Sequence, residues 1–468
     1  MVFNFNNTYI KLNKNFYSEV TPKKIKNPKI LILNKKLMKK LDIENNNDLA
    51  EILCGNKLLS KPIAQAYAGH QFGNFTMLGD GRALLLGEHI TKKGIRYDIQ
   101  LKGSGITPYS RGGDGKATIS SMLREYLYSC AMNNLKIKSS QSLAIILTNE
   151  KVLREKIENG SILVRIMESH IRIGTFEYVS YSSSKEELVK FTDYVIERHY
   201  KNILNYEEKY LKFFEEVMDN LIDMVIEWTR VGFIHGVMNT DNMNINGETF
   251  DFGPCAFMNY YDPNTKFSSI DAYGRYSFKN QKNILLWNLT RFAETLIPII
   301  DSDNKNSIEK LNKILKKFNE KYNEKYYKMM KLKLGIKKEG NFNSIIDKFT
   351  TWLEKNKTDY TNTFIELINP TLFADKSYSS KEFIELKKEL SEIGLDKDIM
   401  KKVNPLYIPR NYQIEEAISE YNSKNSLEKF NKLLKIIENP YLKKPNSKIY
   451  QTPPLIEYDL KYKTFCNT

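Results

Sequence analysis

Cysteine is scarce and scattered. The 468-residue chain holds 4 cysteines, Cys54, Cys130, Cys255 and Cys466, with no CxxC pair among them. That excludes a disulfide framework and a thiolate zinc site. The 5 histidines form no HExxH, which excludes a zinc hydrolase of that type. No apolar run approaches the roughly 20 residues a membrane span needs, so no membrane partner is expected. The N-terminus, MVFNFNNTYIKLNKNFYSEV, lacks the apolar block of a signal peptide and the Arg-rich, acid-free pattern of a transit sequence. A soluble cytoplasmic protein is the expectation. No internal repeat or long low-complexity linker is visible, which excludes a repeat array.

Apolar and charged residues, by contrast, are plentiful. Hydrophobic content is 41% and aromatic content 12%, enough for a well-buried globular protein of one large or about two to three fused domains. Lys plus Arg is 71 against 56 for Asp plus Glu, a formal charge of +15. The lysines are dispersed among Glu and Asn, as on solvated helix faces, and no basic block is interleaved with aromatics. No nucleic-acid partner is expected, although the surplus helps recruit an anionic nucleotide.

The first chemistry lies between residues 62 and 175. A turn, Gly79-Asp80-Gly81-Arg82, joins two strand-like runs, the second being Ala83 to Ile90. Such a turn lets backbone N–H groups approach phosphate, and Arg82 adds charge; a plain β-turn has the same pattern. Strand Arg96–Lys102 ends on Lys102. Glu125 follows 23 residues on (125 − 102), inside a helical stretch, Ala117 to Asn133, whose apolar positions recur at helical spacing. A strand lysine paired with a helix glutamate is how a kinase holds a lysine against nucleotide phosphates. The loop TPYSRGGDGKAT runs into that helix and makes an anion site at its N-terminus. It is not a P-loop, because Ser110 and Ala117 stand where that motif needs Gly and Ser or Thr. Short strands are expected at Leu143–Leu147 and Ser161–Glu168. Arg165 and Arg172 then suit either a polyphosphate clamp or carboxylate partners at a sheet edge.

The stretch HGVMNTDNMNINGETFDFG, residues 235–253, organises the rest. Asn246-Gly247 between Met243–Ile245 and Glu248–Phe250 predicts a tight hairpin. Its pairing brings Asn242 and Asp251 together as oxygen ligands for a hard cation. A kinase holds its metal with such an Asn and a DFG Asp. Here Val237 stands where the kinase base belongs. A long amphipathic helix, Glu207 to Arg230, leads into this stretch. An apolar helix interrupted at Pro298 follows it. Residues 305–440 read as Lys/Glu/Leu-rich helices with solvated faces, and the tail as surface-draped. Cys255, just past the DFG-like turn, and Cys466 in the tail are either able to bond under oxidation or, as the alternative, a buried thiol and an exposed idle one.

The chain resembles the selenoprotein O (YdiU) family of pseudokinase-fold protein adenylyltransferases. The resemblance rests on AYAGHQFGNF, LGDGRA, QLKGSGITPYSRGGDGKA, REYL, SHIRIGTFE, HGVMNTDNMNI, DFGPCAFM, GRYSF, WNLTRFAE and NPLYIPRNYQIEEAI. It implies an α+β, bilobal protein-kinase-like fold: an N-terminal extension at 1–60, a β-rich N-lobe at 61–175, a helical C-lobe at 176–300, and a helical C-terminal extension and tail at 301–468. It implies transfer of AMP from ATP, bound in a flipped orientation, to Ser, Thr or Tyr hydroxyls of protein substrates. Nucleotide contacts would come from Gly79, Gly81, Arg82, Lys102, Asp114, Gly115, Arg165, Arg172 and Asp251, with Glu125 holding Lys102. Asn242 and Asp251 would hold Mg²⁺ or Mn²⁺, and Asp241 would accept the proton. A monomer is expected. Eukaryotic members of the family end in a motif pairing cysteine with selenocysteine; here only Cys466 stands near the C-terminus, so the resemblance does not extend to a redox pair in the tail. Uridylyl transfer from UTP, ordinary phosphoryl transfer and an inactive nucleotide-sensing scaffold are the alternatives.

Overall fold

The computed structural model describes residues 2–370, 372–373 and 375–465. The apolar runs of the first third become strands because their side chains alternate between two faces, both covered along Ala83–Ile90 and Arg96–Lys102 and largely open along Asn74–Gly79. They are β1 (Tyr17–Glu19), β2 (Lys29–Leu33), β3 (Ile63–Gln71), β4 (Asn74–Gly79), β5 (Ala83–Ile90), β6 (Arg96–Lys102), β7 (Ala117–Thr118), β8 (Gln141–Leu153) and β9 (Ile157–Met167). One sheet holds them in the order β1-β3-β5-β6-β9-β8-β2, with β4 on β3 and β7 on β9. All these pairings are antiparallel. The chain is thus mixed α and β. β6 and the run Ala83–Ile90 match the sequence expectation, while the strands at 143–147 and 161–168 prove to be parts of the longer β8 and β9.

Alternation decides what each face of the sheet carries. Ile99, Leu101, Ile162, Val164 and Ile166 pack with Leu41, Ile52 and Leu53 of the N-terminal segment. Leu85, Ile145 and Leu163 pack on the other side with Leu123, Leu127 and Ala131 of the helix Ile119–Asn134. Gln100 and Lys102 alternate with Ile99 and Leu101, so they emerge on that second side. The register sets Gln100 opposite Arg165. The polar side chains of β6 and β9 therefore share the face that carries the helix.

Beyond β9 the chain is largely helical. Helices Ile173–Ser182, Lys185–His199, Lys209–Val231 and Gln281–Ile300 share one apolar core, and further helices run from Asn304 to Ile437. The long helix expected at 207–230 spans Lys209–Val231 and buries Leu211, Phe214, Val217, Leu221, Val225 and Trp228. Gly232, at φ 72°, stops it in the left-handed region, where a side chain would be strained. The helix expected to break at Pro298 instead continues to Ile300. So close to the helix end, the missing N–H removes only a last-turn bond. Among the described residues no helix is long and apolar enough to cross a membrane.

The expected hairpin is corrected. Residues 243–245 and 248–250 do not pair as strands. They turn through Asn244–Gly247, with Gly247 N donating to Asn244 O at 3.1 Å. Each limb finds a partner outside: Asn244 bridges Arg172 and Thr249 bridges Ser139. The asparagines favour this by capping their own backbone. Asn246 N donates to Asn244 Oδ1 at 3.2 Å and Glu248 N to Asn246 Oδ1 at 3.0 Å. The loop is closed lower down, where β10 (Phe233–Ile234) pairs with β11 (Ala256–Phe257).

Candidate active site

One cavity of about 830 Å³ is lined by Gly79, Gly81, Arg82, Lys102, Asp114, Gly115, Arg165, Arg172, Asp241, Asn242 and Asp251. Residues more than 150 positions apart in the chain are gathered there by the β6–β9 register and by the 235–255 loop. Glu125 stands behind this wall, buried on its helix.

Lys102 Nζ donates to Glu125 Oε2 at 2.7 Å and also contacts Asp251 Oδ1. Arg165 Nε donates to Glu125 Oε1 at 3.1 Å, and its Nη2 reaches Asp251 Oδ1 at 3.1 Å. Gln100 Oε1 accepts from Arg165 Nη1 at 3.2 Å. Two cations and two carboxylates thus neutralise one another. Burial works against ionisation of Asp251, but Lys102, Arg165 and Arg82 hold its carboxyl well below the usual range. Burial likewise opposes the charge on Glu125, and Arg165 and Lys102 again pull its pKa down. Asp251 sits at φ 61°, a costly conformation for a residue with a side chain. Both cationic contacts pull it into that position.

Arg172 is packed differently. Its guanidinium lies 4.0 Å from the centroid of the Tyr67 ring and 5.0 Å from that of Phe250. Nη1 donates to the backbone oxygen of Asp241 at 3.2 Å, and Nη2 approaches Asp80 Oδ1 at 3.8 Å. Asp241 lies on a 3-10 turn, Thr240–Asn242. Its Oδ1 is buried and accepts no hydrogen bond among the described residues. Burial lifts this carboxyl to about 6, against the lowering pull of Arg172. Asn242 turns its amide nitrogen to Val237 O at 3.0 Å, which sets its side-chain oxygen apart from that bond. Val237 lines the same cavity and offers no proton acceptor. Among the described residues no group of three or more His, Cys, Asp or Glu side chains forms a metal cage.

The sequence matches the family described as protein adenylyltransferase SelO over residues 1–438. The chain belongs to the SelO family. It is 47% identical to the protein nucleotidyltransferase YdiU of Pelagibacter ubique, over 100% of this chain and 99% of that protein. It is 46% identical to the protein of the same name from Clostridium perfringens, over 100% of this chain and 98% of that protein. It is accordingly an enzyme of the nucleotidyltransferase class.

Arg154, Tyr109, Arg124, Tyr462 and Thr464 of this SelO chain were not singled out from sequence. Asp114, one of the expected nucleotide contacts, is engaged by Arg154 through two bonds, at 2.8 and 3.0 Å, which hold its carboxyl down at about 2. A Cβ on Gly79 would fall 2.2 Å from the ring of Tyr109, and one on Gly81 2.7 Å from the Tyr109 backbone oxygen. The packed 107–110 turn therefore accounts for glycine at both positions. Arg124, next to Glu125, donates to Cys255 O at 2.7 Å and to Tyr462 Oη at 2.9 Å. Thr464 Oγ1 donates to Pro254 O at 2.7 Å. The tail is thus tied to the turn after Asp251 rather than simply draped over the surface. Cys255 is buried, and burial raises its thiol pKa. Cys466 lies outside the described residues.

Proposed function

We propose that this enzyme transfers AMP from ATP to Ser, Thr or Tyr hydroxyls of protein substrates, with release of pyrophosphate. The chain folds as two kinase-like lobes, residues 61–175 and 176–300, around the cavity. Lys102, Arg165 and Arg172 neutralise the triphosphate, helped by Arg82 and by the backbone around Gly79, Gly81 and Gly115. Glu125 holds Lys102 and Arg165 in register for it. Asp241 takes the proton of the acceptor hydroxyl as that oxygen bonds to the α-phosphorus, and the bond from that phosphorus to the pyrophosphate oxygen breaks.

The donor set fits a hard divalent cation. Asn242, through its amide oxygen, and Asp251, through a carboxylate held charged, would hold Mg²⁺ or Mn²⁺. Bound there, the ion supplies charge neutralisation along the phosphates.

One observation carries the reading. The cavity is lined by a buried carboxylate, Asp241, whose Oδ1 has no hydrogen-bond partner among the described residues, and by a valine at the kinase-base position. A γ-phosphoryl transferase has a base at that position; a flipped nucleotide with the α-phosphorus near Asp241 does not need one. The names of the relatives, protein nucleotidyltransferase, support nucleotidyl transfer and leave the base open. The test is intact mass of an acceptor protein after incubation with ATP, UTP and metal. An adenylyl increment supports the reading. A uridylyl increment replaces the donor, a phosphoryl increment replaces the reaction class, and no increment leaves the inactive scaffold.

A further inference from the structure

Asp241 does not hold its own position. Its turn is wedged between β3 and the helix Ile173–Ser182. A Cβ on Gly69 would lie 2.3 Å from Asp241 Oδ1, so the β3 backbone runs directly over the carboxylate. A Cβ on Gly174 would lie 2.0 Å from Ala68 O and 3.2 Å from the Asp241 Cα. The strand, the helix and the turn are in contact, and only glycines fit between them.

A closed ring of hydrogen bonds ties these three elements together. His70 N, on β3, donates to Thr240 Oγ1 at 2.7 Å. Thr240 Oγ1 donates to Glu177 Oε2 at 2.5 Å. Glu177 Oε1, on the helix, meets His70 Nδ1 at 2.5 Å. Glu177 and Thr240 are both buried. The His70 ring is held against Trp287, with centroids 5.2 Å apart. Next to the ring, Phe72 N donates to Asn239 Oδ1 at 3.2 Å. The residue before the proposed base is therefore bonded on both sides, although His70, Glu177 and Thr240 do not themselves line the cavity.

We infer that Glu177 and His70, acting through the Thr240 hydroxyl, are positioning residues that set Asp241 against the acceptor hydroxyl. This rests on the reading of Asp241 as the base. Neither side chain lines the cavity, so their loss should act on turnover and spare nucleotide affinity. A misplacement of about 1 Å at a reacting group costs on the order of 10²-fold in rate. Breaking the ring also leaves the His70 N–H or a Glu177 oxygen buried without a partner, which pulls the turn away from its position.

The experiment measures kcat and KM for ATP, with thermal unfolding, for Thr240→Val, Thr240→Ser, Glu177→Leu and Glu177→Gln in the full chain. Thr240→Val is isosteric and lacks only the donor and acceptor. It is expected to lower kcat by about tenfold or more with KM for ATP within about twofold. Thr240→Ser restores the hydroxyl and should recover at least about fivefold of that loss. Glu177→Gln keeps an acceptor for Thr240 and a donor for His70 Nδ1, and should recover activity relative to Glu177→Leu in the same way. If Thr240→Val keeps wild-type kcat, or if Ser and Gln are as poor as Val and Leu, the positioning role is overturned. Should Glu177→Leu fail to fold, the Thr240 pair decides alone. Should Thr240→Val fail to fold, the Glu177 pair decides: recovery of kcat in Glu177→Gln from a large loss in Glu177→Leu supports the proposal, and equal kcat in the two contradicts it. Asp241→Asn separates the two levels. If it turns over like wild type, the reading of the base has failed. If it is inactive while the ring variants are unimpaired, only the ring's role has.

Discussion

Replacing Glu125 by Gln tests whether the charge cluster behind the cavity works as one unit. The substitution keeps shape and removes one charge, so two buried cations, Lys102 and Arg165, are left facing Asp251 alone. At an effective dielectric near 20, unit charges about 4 Å apart attract by about 4 kcal/mol. Glu125 therefore draws roughly 8 kcal/mol from its two partners. Repulsion from Asp251 and the desolvation of Glu125 itself take back part of that, and breaking a buried pair on one side costs about 3–5 kcal/mol. Lys102→Met should cost a similar amount, because it leaves two carboxylates facing one arginine. The double variant leaves Arg165 against Asp251, a balanced pair, and should lose no more than about 1 kcal/mol beyond the worse single variant. Urea denaturation of the nucleotide-free protein, with m-values checked for equality, measures each corner of the cycle. Turnover should follow the same pattern, each single variant poor and the double little worse. Losses that add within about 0.5 kcal/mol would refute the cluster as a unit.

Asp251→Ala should uncouple ATP binding from metal: calorimetry is expected to give nearly equal affinities with and without Mg²⁺ or Mn²⁺, since Lys102 and Arg165 are freed for the phosphates. An unchanged metal dependence contradicts the proposed ligand role. Asp98 is buried, which opposes its charge, yet Arg198, at 2.6 Å, and then His170, at 3.0 Å, depress its pKa from 3.8 to about 2. Its stabilisation, about 2 kcal/mol, is present above pH 4 and lost as pH falls through 2. Asp98→Asn should therefore flatten the acid limb of the stability curve, and an unchanged acid limb refutes this. Gly69→Ala places a methyl within 2.3 Å of Asp241 Oδ1. It should lower kcat by about tenfold or more while ATP affinity survives, and wild-type kcat would show that this contact does not fix the carboxylate.

The sheet strands that feed the site were legible because period-2 alternation and turn residues agree there. β5 and β6 fall where the pattern puts them, and Lys102 at a strand end with Glu125 on the next helix is a local signal. The loop at 243–250 misled for a physical reason. Asn-Gly does mark a turn, but asparagine side chains can close it by themselves, and Arg172 and Ser139, far away in sequence, offer each limb a better partner. Sequence spacing carries no information about such competitors. The same holds for Glu177. It lies within an apolar helix, and only the fold brings it to Thr240. Gly79 and Gly81 were read as openings for phosphate, yet Tyr109, some thirty residues on, presses against both. Asp80 and Tyr67, which face Arg172, carry no motif signal beyond their neighbours.

The central claim is that the α-phosphorus is the one attacked. Purified enzyme, metal and an acceptor protein are incubated with ATP labelled in separate samples on the α- and the γ-phosphate. Protein-bound label and free pyrophosphate are followed together, with Asp241→Ala in parallel. The expected result is label in protein from the α-position alone, pyrophosphate rising in step, and both lost in Asp241→Ala while that variant still binds nucleotide. Label entering protein from the γ-position would contradict the account.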